Sequence, residues 1–174
     1  AINLVIKNKK EPVTCIIGGS KISTKINVIT NLLKKVNNIV IVGAMANNFF
    51  VHKNLKVGKS LIEKNTKEII ANIYKKAEEH NCKILIPEDC MVGTDFEGTG
   101  KNKNLDEIQE NEIILDIGFN TIKKIQKKIN ESNTVLWNGP AGYFENKNFL
   151  KGTLSIAENI SKNTIEKSLI SILG

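Results

Sequence analysis

Arginine is absent, and 25 Lys, 27 Ile and 23 Asn make up 75 of the 174 residues. All three types have A/T-rich codons, so this bias is a matter of coding before it is one of function. Cysteine is scarce: Cys15, Cys82 and Cys90 are odd in number and form no CxxC. Neither a disulfide framework nor a thiolate zinc site is indicated, and a reduced, cytoplasmic compartment fits. Cys15, inside an apolar run, reads as a small buried hydrophobe. The two histidines, His52 and His80, have no acidic or Cys partner at ligand spacing and read as surface or helix-end residues. Long apolar runs are missing as well. Residues 39–42 and 113–115 fall far short of the ~20 that a membrane span needs. No Lys-flanked apolar segment opens the chain, so no secretory signal is expected. Aromatics are 5% and are not interleaved with the lysines. The net charge of +7 therefore reads as solvated helix faces, such as Lys75-Lys76 and Lys127-Lys128, and not as a base-stacking platform for nucleic acid. No Ser/His/Asp or Cys/His set exists, and no paired carboxylates for acid–base work.

What is present is ordinary for a globular chain. Hydrophobic residues are 41% and charged residues 25%, and the length is that of about one domain of ~150 residues. Short apolar runs alternate with helical periodicity. Strands are expected at residues 13–17, 39–42, 83–86, 113–117, 134–137 and 168–173. Helices are expected at 23–35, from Gly43 through Phe50, and at 66–80, 120–130 and 147–161. Residues 88–104, with Gly93, Gly98 and Gly100, read as an excursion holding one short strand at most. Residues 1–10 read as the end of a helix feeding the first strand. Strand–helix alternation with uniformly apolar strands predicts an α/β fold: three layers, a mostly parallel sheet and helices on both faces. Ligands bind at the carboxyl ends of such strands. Gly18-Gly19, Gly43, Gly118 and Gly139 stand at four of those ends, and all four are expected on one rim. Glycine also simply ends strands; the polar residues beside these tips favour a site.

Two segments carry chemistry. Gly18-Gly19-Ser20-Lys21-Ile22-Ser23-Thr24-Lys25 lacks the order of a P-loop, but it leads into a helix start, where free N–H groups and the dipole favour anions. Lys21 and Lys25, four apart, are expected to share a helix face there. Their mutual repulsion would be relieved by an anionic ligand. Leu136-Trp137-Asn138-Gly139-Pro140-Ala141-Gly142-Tyr143-Phe144-Glu145 holds the chain's one Trp and a stiff turn. The Trp suits a core equally well. Glu145 is placed either to accept hydrogen bonds from a ribose diol or as an exposed helix-entry acid. An unrelated dinucleotide-binding domain finds no support, because there is no GxGxxG.

Together these segments resemble the carboxyl-terminal, nucleotide-binding domain of the phosphoglycerate kinase family. The resembling stretches are Ile17 to Lys25, Val42-Gly43-Ala44-Met45-Ala46-Asn47, Gly58-Lys59-Ser60-Leu61, Asp116-Ile117-Gly118, Leu136 to Pro140 with Gly142, Phe144 and Glu145, and Phe149 with Gly152-Thr153. They run in family order from about residue 13 to the end, with residues 1–12 as the end of an interdomain helix or a linker. The resemblance implies a Rossmann-like fold and phosphoryl transfer in glycolysis between ADP/ATP and 3-phosphoglycerate with Mg²⁺. It implies that Lys25, with Lys21 beside it, contacts the nucleotide phosphates and the transferring group. Gly19, Gly43, Ala44, Leu61 and Leu115 would line the adenine pocket. Asn138, Gly139, Pro140 and Ala141 would form the turn near ribose and phosphates, with Phe144 beside it and Glu145 binding the ribose.

There are departures from the family pattern. Val42-Gly43-Ala44 replaces three glycines, which narrows the expected adenine pocket. Phe119 follows Gly118 where the family commonly has Pro. The sequence ends at Gly174, where the family enters a Gly-Gly-Gly-Asp-Thr loop whose Asp holds the metal and whose Thr holds a phosphate. The Arg-bearing domain that binds 3-phosphoglycerate lies outside the sequence. The expectation is thus a nucleotide-binding domain incomplete at its carboxyl end, with no metal ligand of its own and no catalysis alone. The alternative is a non-catalytic relic or interaction module derived from that domain.

Overall fold

The computed structural model describes residues 9–174. The helix expected over residues 1–10 falls almost wholly outside them. The first run, Val-Thr-Cys-Ile-Ile, forms β1 (Val13–Ile17), buried along its whole length. Its neighbours are β2 (Asn38–Ile41) and β7 (Thr134–Asn138). β3 (Lys83–Leu85) and β8 (Ile170–Leu173) complete a sheet in the order β3-β2-β1-β7-β8. Every pairing in it is parallel; Ile17 stands opposite Ile41 on one side and Asn138 on the other.

Alternation along β1 divides the core between two faces. Cys15 and Ile17 join Ile39 and Ile41 against α1 (Ile26–Leu33), α2 (Ala46–His52) and α3 (Lys67–Glu79), through Ile29, Leu33, Phe49 and Ile70. Ile16, Val40 and Val135 face α4 (Phe119–Asn130) and α5 (Lys151–Lys167), through Ile122, Ile125, Ile129, Ile156 and Ile160. The three-layer, Rossmann-like α/β expectation holds.

Residues 88–104 carry more order than expected. They form two strands, β4 (Asp89–Gly93) and β5 (Lys101–Asn104). With β6 (Ile113–Ile117) these make a separate antiparallel sheet, ordered β5-β4-β6. β6 therefore does not belong to the parallel sheet, and Gly118 does not stand on its rim. Gly118 instead precedes α4, packed so closely on the Asp89 carboxylate that a Cβ there would collide with it. A five-residue apolar run reveals that it is a buried strand, but not which strand it pairs with.

Several helix boundaries also differ. α1 begins at Ile26 and not at residue 23, because residues 22–25 close a separate turn in which Lys25 N donates to Ile22 O at 3.0 Å. α5 begins at Lys151, after a short 3-10 turn, Lys147–Phe149, and runs six residues beyond the expected end at 161. Cys15 is core, as expected, and burial pushes its thiol up to about 12. His52 closes α2 and His80 follows the end of α3. No helix among the described residues is long and apolar enough to cross a membrane.

Candidate functional site

The carboxyl ends of β2, β1 and β7 are laced together by backbone bonds. Gly18 N donates to Asn138 O at 2.8 Å, Gly43 N to Ala141 O at 3.0 Å, and Met45 N to Gly19 O at 2.9 Å. Such contact excludes side chains. A Cβ on Gly43 (φ +71) would lie 2.8 Å from Gly19 N, and one on Gly139 (φ +87) 2.6 Å from Gly18 O. Both glycines also sit in the left-handed region, which other residues enter at a cost.

A cleft of about 460 Å³ opens over this rim, within the range of roughly 300–1,000 Å³ typical of small-molecule sites. Of the residues singled out in the sequence, Gly19, Gly43, Ala44, Leu61, Leu115, Pro140, Ala141, Phe144 and Glu145 all line it. Val42 does not: it is fully buried in the α4–α5 core, so of the two departures from glycine only Ala44 meets the cleft. Leu61, 56% exposed, is held to the cleft by a buried amide, Asn47 Nδ2 donating to Leu61 O at 2.9 Å. Asn48 fastens the same loop by donating to Glu63 O at 2.7 Å.

Lys21, Lys25, Asn138 and Gly139 stand beside the cleft without lining it. The Lys25 ammonium donates to Asn138 Oδ1, linking the β1 and β7 tips through side chains. Lys25 occupies the position before α1, and Lys21 lies outside the helix in the preceding turn. The two lysines therefore do not share a helix face. Lys21 is exposed and contributes instead to the field on Glu63, whose carboxyl is held below its usual value chiefly by hydrogen bonds from Ser23. The first turn of α1 has neither an acidic residue nor a side-chain cap, so its N–H groups remain available to an anion.

Several cleft residues have no counterpart among the residues expected at the site. Phe96, from the β4–β5 loop, meets Tyr143 edge to face at 5.1 Å. That loop is tied down by Asn146 Nδ2 donating to Phe96 O at 2.8 Å and Asn148 Nδ2 to Gly98 O at 3.0 Å. Asp116 is buried, and Gly152 N (2.7 Å) and Ile117 N (2.8 Å) donate to its two oxygens. Burial outweighs these bonds and pushes its carboxyl up to about 7. A lone Asp inside an apolar strand was the available signal. Phe119 also acquires a reason: its N–H donates to Asn102 Oδ1 at 2.9 Å, which Pro could not do, and Lys151 Nζ lies 4.5 Å from its ring centre.

The sequence and fold match known proteins. A family model described as "Phosphoglycerate kinase" matches residues 1–174. Phosphoglycerate kinase of Wolbachia pipientis wMel is 41% identical over 167 residues, 95% of this chain and 42% of that protein. The enzyme of Chelativorans sp. (strain BNC1) is 38% identical over 176 residues, covering all of this chain and 44% of its own length. The solved structure of phosphoglycerate kinase from Coxiella burnetii superposes with a TM-score of 0.92 at 34% identity, covering 100% of this chain and 44% of that one. The Pyrococcus horikoshii OT3 structure, at 23% identity and a TM-score of 0.77, shares the fold. The chain thus spans less than half the length of the relatives it matches, and over that span, from the glycine rim to the cleft it floors, it belongs to the phosphoglycerate kinase family.

Proposed function

We infer that the cleft is an adenine-nucleotide site, and that the chain is the nucleotide-binding part of a phosphoglycerate kinase. In this reading residues 13–174 form that domain and residues 1–12 lead into it. The whole protein moves a phosphoryl group between ADP/ATP and 3-phosphoglycerate, in the cytoplasm, with the acceptor bound outside this chain. The observation that carries the reading is the convergence of Gly19, Gly43, Ala44, Leu61, Leu115 and the Pro140–Glu145 turn on one cleft. Gly43, Ala44, Leu61 and Leu115 offer the adenine apolar contact. Glu145 accepts from the ribose hydroxyls. Backbone N–H groups at Gly19 and the start of α1 face the phosphates. Lys25 exchanges Asn138 for a phosphate oxygen and neutralises charge on the transferring group, and Lys21 adds to the local field.

The family resemblance implies Mg²⁺ on the phosphates. Among the described residues no three His, Cys, Asp or Glu side chains group closely enough to hold a metal. A Mg²⁺ held mainly by phosphate oxygens takes one or two carboxylates and no such cluster; the contribution of the cleft side chains named above is positioning and charge neutralisation.

Titration of ¹⁵N-labelled chain with ADP tests the reading. Shifts are expected to cluster at Gly19, Lys25, Gly43 and Gly139. Lys25→Ala should weaken binding by about tenfold or more, since a charge-assisted contact contributes ~1.5–3 kcal/mol. Absence of shifts at millimolar ADP in a folded sample would overturn it in favour of a non-catalytic module.

A further inference from the structure

Asp116 lines the cleft, is buried, and takes no part in the nucleotide contacts assigned above. Its neighbours in β6 are buried Leu115 and Ile117, so the strand places one carboxylate among apolar side chains. Its Oδ2 accepts from Gly152 N at 2.7 Å. Gly152 is in the first turn of α5, where N–H groups have no partner within the helix, and α5 has no side-chain cap of its own. The carboxylate supplies that cap from another element, at the end of the helix where negative charge is favoured.

The contact reaches further than α5. The next residue, Thr153, accepts at Oγ1 from Ala141 N at 3.0 Å, and Leu115 O accepts from Tyr143 N at 2.6 Å. Gly142, between them, lies so close to Asp116 Oδ1 that a Cβ would collide with it, and the same is true of Gly152. In the cleft turn, Ala141 is thus bonded to Thr153, which follows Gly152, Tyr143 is bonded to Leu115, which precedes Asp116, and Gly142 between them packs against Asp116 itself. We propose that Asp116 is a positioning residue for nucleotide binding: by holding the first turn of α5 against β6, it sets where the 140–145 turn stands over the cleft. This rests on the nucleotide reading, and deepens it by naming a side chain that shapes the site without touching the ligand.

The test compares four variants of the chain: Asp116→Ala, Asp116→Asn, Thr153→Val and Ile73→Ala. Ile73 is buried in α3, in the core on the other face of the sheet from Ala141, and does not line the cleft, so it controls for lost stability. Without nucleotide, Asp116→Ala and Thr153→Val should shift the amide signals of Ala141, Gly142 and Tyr143, while Ile73→Ala leaves them in place. With ADP, both should raise Kd about tenfold and Ile73→Ala less than threefold. Asp116→Asn keeps an oxygen for Gly152 N and should recover part of the affinity. Unmoved 141–143 amides, or an equal affinity loss in Ile73→Ala at matched stability, would overturn the proposal. If Asp116→Ala does not fold, Asp116→Asn and Thr153→Val decide by the same two readouts. If the unaltered chain binds no ADP, the nucleotide reading fails, while the amide shifts still decide whether Asp116 holds the turn.

Discussion

Asp116 gives the chain a pH dependence whose sign follows from burial. The unfolded carboxyl releases its proton near 3.8 and the folded one near 7, so between those values the folded state holds more protons. The contribution of Asp116 to stability then falls as pH rises from about 4 to 7, by at most roughly 4 kcal/mol for such a shift. Urea unfolding across that window should show stability rising more with pH, or falling less, in Asp116→Asn than in the unaltered chain; equal slopes in both proteins would refute the assignment. Gly43 makes a different demand. Its φ of +71 and its approach to Gly19 leave no room for a methyl group. Left-handed backbone costs an L-residue roughly 1–2 kcal/mol before any clash. Gly43→Ala should therefore lower unfolding free energy by at least about 2 kcal/mol and weaken ADP binding, as read by urea melts and titration.

At the scale of elements, α4 is held by a residue of another strand. Asp89 in β4 is fully buried and accepts from Asn120 N at 2.9 Å, Thr121 N at 2.8 Å and Thr121 Oγ1 at 2.7 Å. Asn102 of β5 donates to the same carboxylate at 3.2 Å and accepts from Phe119 N. The small sheet and the helix start thus form one hydrogen-bonded unit. Burial pushes the Asp89 carboxyl up, but the bonds from Thr121, Asn120 and Asn102 outweigh it and hold the group below its usual value. Its stabilisation is present above the unfolded value and is lost as pH falls through the folded one. Asp89→Ala should cost about 2–3 kcal/mol, as a lost cap that leaves buried donors unpaired. It should also make the acid limb of the stability curve shallower, which thermal melts between pH 2 and 6 would reveal.

At the scale of the whole molecule, two cores on opposite faces of one sheet carry the stability, and the site lies at the end of that sheet. Phe49 is fully buried in the α1–α3 core, edge to face with Tyr74 at 5.9 Å. It does not line the cleft, whereas its neighbour Phe50 does. Phe49→Ala should cost about 3–5 kcal/mol through lost burial and an unfilled cavity, a large part of the ~5–15 kcal/mol usual for a domain. ADP affinity per folded molecule should change little, because the rim is fixed by backbone bonds between β1, β2 and β7. Circular dichroism melts combined with ADP titration below the transition would separate the two effects.

What the sequence by itself determined is local. Five-residue apolar runs are strands because they have no other way to bury both faces, and Ile122, Ile125 and Ile129 recur at the period of a helix side. The Gly-Gly-Ser-Lys and Trp-Asn-Gly-Pro blocks were each legible as turns at strand ends, and only their joint resemblance to one family, not their spacing, grouped them. What only the tertiary structure decided depends on partners distant in sequence. The partner of Ile113–Ile117 is β4, some twenty residues away and antiparallel, and no period within the run encodes that. Lys21 and Lys25 parted because a turn at residues 22–25 displaced the helix start. The place of Asp116 follows from Gly142 and Gly152 converging on it from separate segments. A carboxylate acquires a role only from the donors that surround it once the chain has folded, and those donors are backbone N–H groups that every residue but proline carries.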